Sequence, residues 1–265
     1  MDVMSADGTH FTVIDEGHSS PILIVHPGGG TAASWTLVAR RLAGHYRVLR
    51  FDRRPYRIPG HVEPTDTMGN EVSDVLAAAE ALDKPLLLVG HSSGAVVALE
   101  AALHSPSMFA GVALYEPPVA VTEPLGGEAL GRAQAALDAG DPGSAMRIHL
   151  SEIVGVRQSV VGVMARLPPL WRRMTLFAPG QIKDDSNIES LGVGVDRYSR
   201  LDLPVLLIGG ARSPKHLGIR LHALAAVLPH VDSVVVLKRQ GHLANAFAPG
   251  RLARVIEGFA DSVLS

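Results

Sequence analysis

The chain has 265 residues, of which 47% are hydrophobic and 19% charged, a composition typical of a globular protein with a sizeable core. A formal net charge of −2 gives no reason to expect nucleic acid or an anionic membrane surface as a partner. The absence of cysteine excludes disulfides, a cysteine nucleophile and thiolate metal sites. The first residues carry no signal-peptide pattern and no apolar run reaches the length of a membrane span, so we expect a cytoplasmic protein.

Apolar runs of strand length alternate with helical patterns along most of the chain. The predicted strands are residues 9–17 (an early edge strand), 21–26, 46–52, 86–89, 110–115, 203–210 and 233–237. Residues 68–82 are typical of the helices between them, because their apolar side chains recur at helical spacing. Strands that alternate with helices predict an α/β fold with a mostly parallel sheet and helices on both faces.

The alternation stops between about residues 119 and 199. Short apolar helical stretches fill this region, which also contains Pro168, Pro169 and Trp171. The pattern predicts an inserted helical cap at residues 119–199 on a core domain formed by residues 1–118 and 200–265.

A possible nucleophile lies between an apolar strand and a helix, in the pattern Gly90-x-Ser92-x-Gly94. A strand that turns abruptly into a helix brings backbone segments very close, and glycine on both sides removes the Cβ atoms that would clash. Ser92 would then project from the tip of the turn, at a helix N-terminus suited to an anionic intermediate. The alternative is an ordinary strand-to-helix turn without chemistry.

The chain resembles the α/β-hydrolase family over nearly its whole length. The matching features follow successive strands and are listed here in order: His26-Pro27-Gly28-Gly29-Gly30, Phe51-Asp52-Arg53, the turn at Ser92, and Gly241-His242. The resemblance implies an α/β-hydrolase fold and a nucleophile, acid and base in that chain order. It implies Ser92 as the nucleophile and His242 as its base, the alternative for His242 being a histidine in a surface loop.

The acid departs from the common family pattern. The loop after the strand ending near Gly209 contains no carboxylate, while Asp202 and Asp232 precede strands and so lie at the wrong edge of the sheet. Glu116 follows the strand after the Ser92 helix, at the same edge as Ser92. We expect Glu116 to be the acid; the alternative is a glutamate that forms a cap or a salt bridge at the entrance to the cap.

A smaller group, the zearalenone lactonases, is similar to this chain in several places. They also have a Glu-Pro step at the position of Glu116, a Ser/Thr-Pro step in the later loop and a cap tryptophan similar to Trp171. The resemblance implies Ser93 and Gly28 as oxyanion-hole residues, with Gly29 as the alternative second donor. The three glycines at 28–30 do not fit a phosphate loop, because no Lys-Ser/Thr follows them.

The remaining candidate residues concern the substrate. Gly29, His91 and Trp171 are candidate substrate-binding residues, although His91 could instead pack beneath the turn and Trp171 within the cap. His26 belongs to the oxyanion strand, where a supporting role is expected. His216 and His222 lack the spacing of helical metal ligands, so we expect no metal site and no cofactor.

These observations predict a serine hydrolase that cleaves a carboxylic ester or lactone through an acyl-enzyme, with a large apolar lactone as the sharper hypothesis. A non-catalytic small-ligand binding protein on the same fold is the main alternative. An epoxide hydrolase, a dehalogenase or a hydrolase of C–C bonds is another, but the first two normally need an aspartate where this chain has Ser92. The expected partner is a small molecule, and a homodimer is compatible with the sequence.

Overall fold

An eight-stranded β-sheet forms the centre of the computed structural model, which describes residues 1–82 and 84–264. The strands lie side by side in the order β1-β2-β4-β3-β5-β6-β7-β8. Their bounds are β1 Asp2–Met4, β2 His10–Gly17, β3 Pro21–Val25, β4 Arg47–Phe51, β5 Leu86–His91, β6 Phe109–Tyr115, β7 Val205–Gly210 and β8 Val231–Leu237. β2 pairs antiparallel with β1 and β4, and all other neighbours are parallel. The α/β-hydrolase fold predicted from the sequence is confirmed.

One strand prediction is wrong in its position. Residues 9–17 were expected to form the edge, but β2 is covered on its outer side by β1, where Val3 pairs with Phe11. β1 is only three residues long and buries Val3 alone, so it carries no periodic apolar pattern that could reveal it.

Helices cover both faces of the sheet. The helices outside the region between β6 and β7 are α1 Thr36–Leu42, α2 Met68–Glu80, α3 Ser93–His104, α9 Lys215–Val227, α10 Ala244–Phe247 and α11 Pro249–Val263. Successive residues of β3 belong to two separate cores: Leu23 and Val25 pack with side chains of α2 and α3, whereas Ile22 and Ile24 pack with those of α1 and α11. This two-sided burial explains the continuous apolar runs of the parallel strands.

Five helices lie between β6 and β7. They are α4 Glu128–Asp138, α5 Pro142–Ile148, α6 Gln158–Ala165, α7 Pro168–Leu176 and α8 Ala178–Glu189, and a π-helical turn at His149–Ile153 follows α5. α8 packs against α2 and α3 of the sheet-covering layer as well as against α4 and α5. The division into core and cap domains stays a prediction. Each helix in the described part of the chain is too short or too polar to cross a membrane.

Candidate active site

The sharp turn between β5 and α3 is centred on Ser92, whose backbone has φ 54° and ψ −130°. This conformation is strained for a residue with a side chain. A Cβ on Gly90 would lie 2.4 Å from the Cα of Ala95, and one on Gly94 would lie 2.2 Å from the carbonyl oxygen of His26. Both flanking positions therefore require glycine, for the steric reason that the sequence indicates.

The turn is hydrogen-bonded to the neighbouring strand, and one of its residues is partly exposed to solvent. The Ser92 N–H donates a 2.8 Å hydrogen bond to the carbonyl oxygen of Tyr115 at the end of β6. His91 and Ser93 on either side are buried, while Ser92 is half-buried. Of these three residues, Ser92 is the one whose side chain a small molecule could reach.

Glu116 and His242 lie together beside this turn. His242 Nδ1 donates a 2.6 Å hydrogen bond to Glu116 Oε2, and the Gly210 N–H donates a second 2.6 Å bond to Oε1 of the same carboxylate. Glu116 is only 2% exposed and has φ 48°, so its backbone is also strained. With the proton on Nδ1, the Nε2 of His242 is free to accept a proton from a hydroxyl group.

The other two carboxylates considered for the acid lie elsewhere. Asp202 is largely exposed and its partner is His230, with 2.8 Å between Oδ1 and Nε2. Asp232 is exposed and accepts a hydrogen bond from the Ser233 hydroxyl next to it. The loop after β7 contains no carboxylate, and the last residue of β7, Gly210, donates its N–H to Glu116.

The rings of His91 and Tyr115 pack next to the His242 ring. The His91 ring stacks on Tyr115 with 4.4 Å between centroids and lies 4.8 Å from the His242 ring. Burial, reinforced by His242, holds the pKa of His91 well below its usual value, so His91 is neutral. Its side chain is fully buried and also meets Trp35, as expected of a histidine that packs beneath the turn, and its role in substrate binding stays a prediction.

The loop that follows β3 lies against α8. A Cβ on Gly28 would lie 2.5 Å from Oε1 of Gln181 and 2.7 Å from the hydroxyl of Tyr56, so a larger residue there would have to displace these side chains. Gly29 follows with φ 71°, a conformation that favours glycine. His26 Nε2 accepts a 3.0 Å hydrogen bond from the Arg53 N–H and supports the loop from beneath.

A buried ionic cluster lies under the same loop. Arg53 is 1% exposed and binds Glu71 through Nε (2.8 Å) and Asp184 through Nη2 (2.5 Å). Asp184 also accepts hydrogen bonds from the hydroxyls of Ser93 and Tyr56, both at 2.6 Å. Burial raises the pKa of Glu71 to about 7, although Arg53 opposes the rise. The cluster links α2, α8 and the Ser92 turn.

Trp171 lies within the helical region between β6 and β7. Its ring is half-buried and carries the Arg147 guanidinium at 4.9 Å, and its Nε1 lies near Gly143. These contacts are with α5. A second buried pair in this region joins His149 Nδ1 to Asp185 Oδ2 at 2.6 Å. Whether Trp171 also lines a substrate pocket stays a prediction.

The sequence alone indicates no functional role for several residues of the site: Tyr56, Tyr115, Gln181 and Asp184. Arg53 stands out in the sequence only as part of a family motif. The one local signal was the pair Asp184-Asp185 inside a helix, and their partners lie far away in sequence. Among the described residues, no three His, Cys, Asp or Glu side chains are grouped so as to hold a metal ion.

A sequence profile described as the alpha/beta hydrolase family matches residues 22–255. The chain belongs to this family. Among curated proteins it is 32% identical to the uncharacterized hydrolase YraK of Bacillus subtilis (strain 168) over 113 residues, 41% of this chain. It is 30% identical over 113 residues, 42% of this chain, to a haloalkane dehalogenase of Agrobacterium fabrum (strain C58 / ATCC 33970). The matches span 40% and 37% of the lengths of these relatives.

Several solved structures are similar to almost the full chain. An alpha/beta hydrolase from Sphaerobacter thermophilus DSM 20745 has a TM-score of 0.84 and 29% identity, and the match covers 98% of this chain and 99% of the other. A thermophilic esterase from Thermogutta terrifontis has a TM-score of 0.77 and 21% identity, covering 100% and 99%. The enol-lactonase from Burkholderia xenovorans LB400 has a TM-score of 0.76 and 18% identity, covering 98% and 99%. At these identities, the last two show the fold alone.

Proposed function

We propose that this chain is a serine hydrolase that cleaves a carboxylic ester or lactone through an acyl-enzyme, with Ser92 as nucleophile, His242 as base and Glu116 as acid. The observation that carries the proposal is the 2.6 Å hydrogen bond from His242 Nδ1 to the buried Glu116 carboxylate, beside a strained serine turn. Such a pair fixes the imidazole tautomer and stabilises the imidazolium that forms during proton transfer. The nearby serine is the group that needs this base.

The first half of the reaction forms the acyl-enzyme. His242 Nε2 takes the proton of the Ser92 hydroxyl as its Oγ attacks the carbonyl carbon of the substrate. The negative charge on the carbonyl oxygen is stabilised by the N–H groups of Ser93 and Gly28, with Gly29 as the alternative to Gly28. The intermediate collapses when the C–O bond to the leaving oxygen breaks, and His242 returns the proton to that oxygen.

The second half releases the acid. His242 removes a proton from a water molecule, whose oxygen attacks the acyl carbon, and the same two N–H groups hold the second oxyanion. Collapse breaks the bond to Ser92 Oγ, which recovers its proton from His242. For a lactone, both product groups remain on one molecule, which leaves as a hydroxy acid. No cofactor is required in these steps.

A large apolar lactone is the sharper form of the proposal. Three features support it: the acid after β6, the absence of a carboxylate in the loop after β7, and Trp171 in the region between β6 and β7, all of which resemble the zearalenone lactonases. The fold shared with an enol-lactonase is compatible with this assignment. The haloalkane dehalogenase similarity does not favour dehalogenation, because Ser92 replaces the aspartate that such chemistry normally needs.

The test combines active-site labelling with a substrate panel. A fluorophosphonate probe should label the wild-type chain at Ser92, and the protein should turn over p-nitrophenyl esters, aliphatic lactones or a resorcylic macrolactone such as zearalenone. Ser92→Ala should abolish labelling and lower kcat by a factor on the order of 10⁶. A macrolactone preferred over short esters supports the sharper form. A wild-type protein that is neither labelled nor active, yet binds such ligands tightly, would indicate a binding protein instead.

A further inference from the structure

Helix α8 contacts both of the loops that carry the predicted oxyanion donors. Gln181 lies against the loop at Gly28, and Asp184, one helical turn later, binds the hydroxyl of Ser93. One donor lies in the loop after β3, and the other lies at the start of α3. A single helix that touches both can therefore set the distance between them.

Asp184 is the most densely bonded residue on this face of α8. It is 1% exposed and accepts hydrogen bonds from Ser93 Oγ (2.6 Å), the Tyr56 hydroxyl (2.6 Å) and two nitrogens of Arg53 (2.5 and 3.1 Å). Arg53 Nη1 also donates to Ser93 Oγ at 2.9 Å. The Ser93 side chain is thus held between one acceptor and one donor, which restricts the backbone that carries its N–H.

Gln181 acts at the other donor. Its side-chain amide fills the space where a Cβ of residue 28 would lie, with Oε1 at 2.5 Å and Nε2 at 2.8 Å from that position. The Tyr56 hydroxyl, 2.7 Å from the same position, is the one that binds Asp184. The contacts at Gly28 and at Ser93 are therefore connected through Tyr56 and Asp184.

The Gln181 side chain also has a fixed neighbour on α8. Asp185 is paired with His149 at 2.6 Å in the buried region between α5 and α8. Burial raises the pKa of Asp185, and His149 and Gln181 oppose that rise. Gln181 thus lies between an anchored carboxylate and the loop at Gly28.

We propose that Gln181 and Asp184 are positioning residues for the oxyanion hole, which hold the N–H groups of Gly28 and Ser93 at the separation that the tetrahedral intermediate requires. The proposal rests on the serine hydrolase function proposed above. The proposal is based on the contacts of these two side chains, which lie on the two segments that carry the donor N–H groups and are connected through Tyr56. An alternative is that these contacts only anchor α8 to the sheet layer, with no effect on the reaction.

Four variants and one control separate these roles. Asp184→Asn, Ser93→Ala, Tyr56→Phe and Gln181→Ala each remove part of the connection, and Ser186→Ala changes an exposed residue of the same helix. Tyr56→Phe and Ser93→Ala keep the backbone N–H groups and nearly the same volume, so they remain informative if Asp184→Asn fails to fold. Active sites are counted by the burst of a fluorophosphonate or an activated ester, so that kcat refers to labelled Ser92 only.

The proposal expects a loss specific to the transition state. The kcat per labelled site should fall about 10- to 100-fold in each of the four variants, with KM for the ester changed by less than about threefold, since displaced donors weaken the intermediate more than the ground state. The inhibition constant of an aryl boronic acid, which forms a tetrahedral adduct on the serine, should rise by a similar factor. The double variant of Ser93→Ala and Asp184→Asn should lose little more kcat than Asp184→Asn alone, because both substitutions break the same hydrogen bond.

Three outcomes overturn it. A kcat per labelled site equal to that of Ser186→Ala, with only a lower melting temperature or fewer labelled molecules, shows that the contacts merely anchor α8. Multiplicative losses in the double variant show that Asp184 does not act through Ser93. A wild-type protein without labelling or turnover removes the serine hydrolase function and this inference with it, whereas the first two outcomes leave that function intact.

Discussion

Glu116 Oε2 and His242 Nδ1 are 2.6 Å apart although the two residues are separated by 126 positions in the chain. The carboxylate is buried, and its other oxygen is occupied by the Gly210 N–H. Neither oxygen of Glu116 is therefore free to rotate away from the imidazole. This geometry makes Glu116 the group whose charge the proposed reaction depends on.

Glu116→Gln should lower kcat by about 10⁴-fold in an esterase assay, since an amide cannot stabilise the imidazolium and favours the wrong tautomer of His242. KM should change little, because Glu116 is covered by its neighbours. Asp202→Asn is the matched control, as this exposed carboxylate also pairs with a histidine, His230. It should retain wild-type kcat. If instead Asp202→Asn is the inactive variant, the acid has been assigned to the wrong residue.

Tyr115→Phe should weaken the support of the catalytic histidine. The Tyr115 hydroxyl donates to the carbonyl of Gly241 and accepts from the N–H of Ala244 at 3.2 Å, so it binds the loop on both sides of His242. Loss of the hydroxyl should lower the free energy of unfolding by about 1–2 kcal/mol and reduce kcat several-fold. Urea unfolding and ester hydrolysis measure the two effects.

The matched control for this loss is Tyr46→Phe. The Tyr46 hydroxyl also binds a partner distant in sequence, Asp261 of α11, but this hydrogen bond does not involve the loop that carries His242. Its removal should cost similar stability without changing kcat. Equal kcat values for both variants would mean that the Tyr115 hydroxyl does not position His242.

The sheet and the placement of the candidate triad could be predicted because both follow from local patterns. Parallel strands buried on both faces read as apolar runs, and their carboxyl ends meet at one edge. Ser92 and Glu116 come directly after such runs and His242 lies in the loop after β8, so the three residues are expected near one another. The short strand Asp2–Met4 could not be predicted, because three residues are too few to show a periodic apolar pattern. Pairing with β2, rather than its composition, stabilises this strand.

The contribution of α8 could not be predicted from local patterns. Asp184 and Arg53 are 131 positions apart, and the polar sequence of α8 is that of a solvent-facing helix. Asp184 is buried together with a guanidinium and two hydroxyls from other elements, and Asp185 is buried together with His149. The adjacent pair Asp184-Asp185 is the one local hint, and by itself it does not distinguish a buried carboxylate from an exposed one, since burial depends on distant partners.

Gly94→Ala should prevent stable folding. The added Cβ would lie 2.2 Å from the carbonyl oxygen of His26 and 2.6 Å from that of Val25, and backbone atoms of a central strand cannot move aside. We expect a loss of more than about 3 kcal/mol in the free energy of unfolding. Gly30→Ala is the control, because its nearest neighbour, Ser34 Cβ, would be 3.8 Å away. A Gly94→Ala protein with the melting temperature of Gly30→Ala would contradict this packing of the turn.

His26 should make the fold sensitive to acid. Burial, together with Arg53, lowers the pKa of His26 from 6.5 to about 3, so the folded state excludes a proton that the unfolded state binds below pH 6.5. The stability contributed by His26 is therefore lost as the pH falls from about 6.5 toward 3, by at most roughly 1.4 kcal/mol per pH unit. His26→Gln, which can still accept from the Arg53 N–H, should lose this part of the pH dependence. Urea unfolding at several pH values gives the comparison, and parallel curves would show that His26 does not titrate on unfolding.

Glu71 should have the opposite effect over an overlapping range. Burial raises its pKa from 4.5 to about 7, so between these values the folded state binds a proton that the unfolded state has released. Its contribution to stability is therefore present below about pH 4.5 and is lost as the pH rises to about 7. The stability of Glu71→Gln relative to wild type should rise across this range, even where the uncharged side chain lowers stability overall through its weaker pairing with Arg53.

The contrast between the two variants is the critical measurement. From about pH 4.5 to 6.5 the contributions of His26 and Glu71 have opposite slopes, so the wild-type stability should change little on their account. His26→Gln should then lose stability with rising pH relative to wild type, and Glu71→Gln should gain it. Both residues bind Arg53. If their titrations are independent, the difference in unfolding free energy between the double variant and the wild type should be nearly independent of pH. Slopes of the same sign in the two single variants would show that Glu71 is ionised in the folded protein throughout this range.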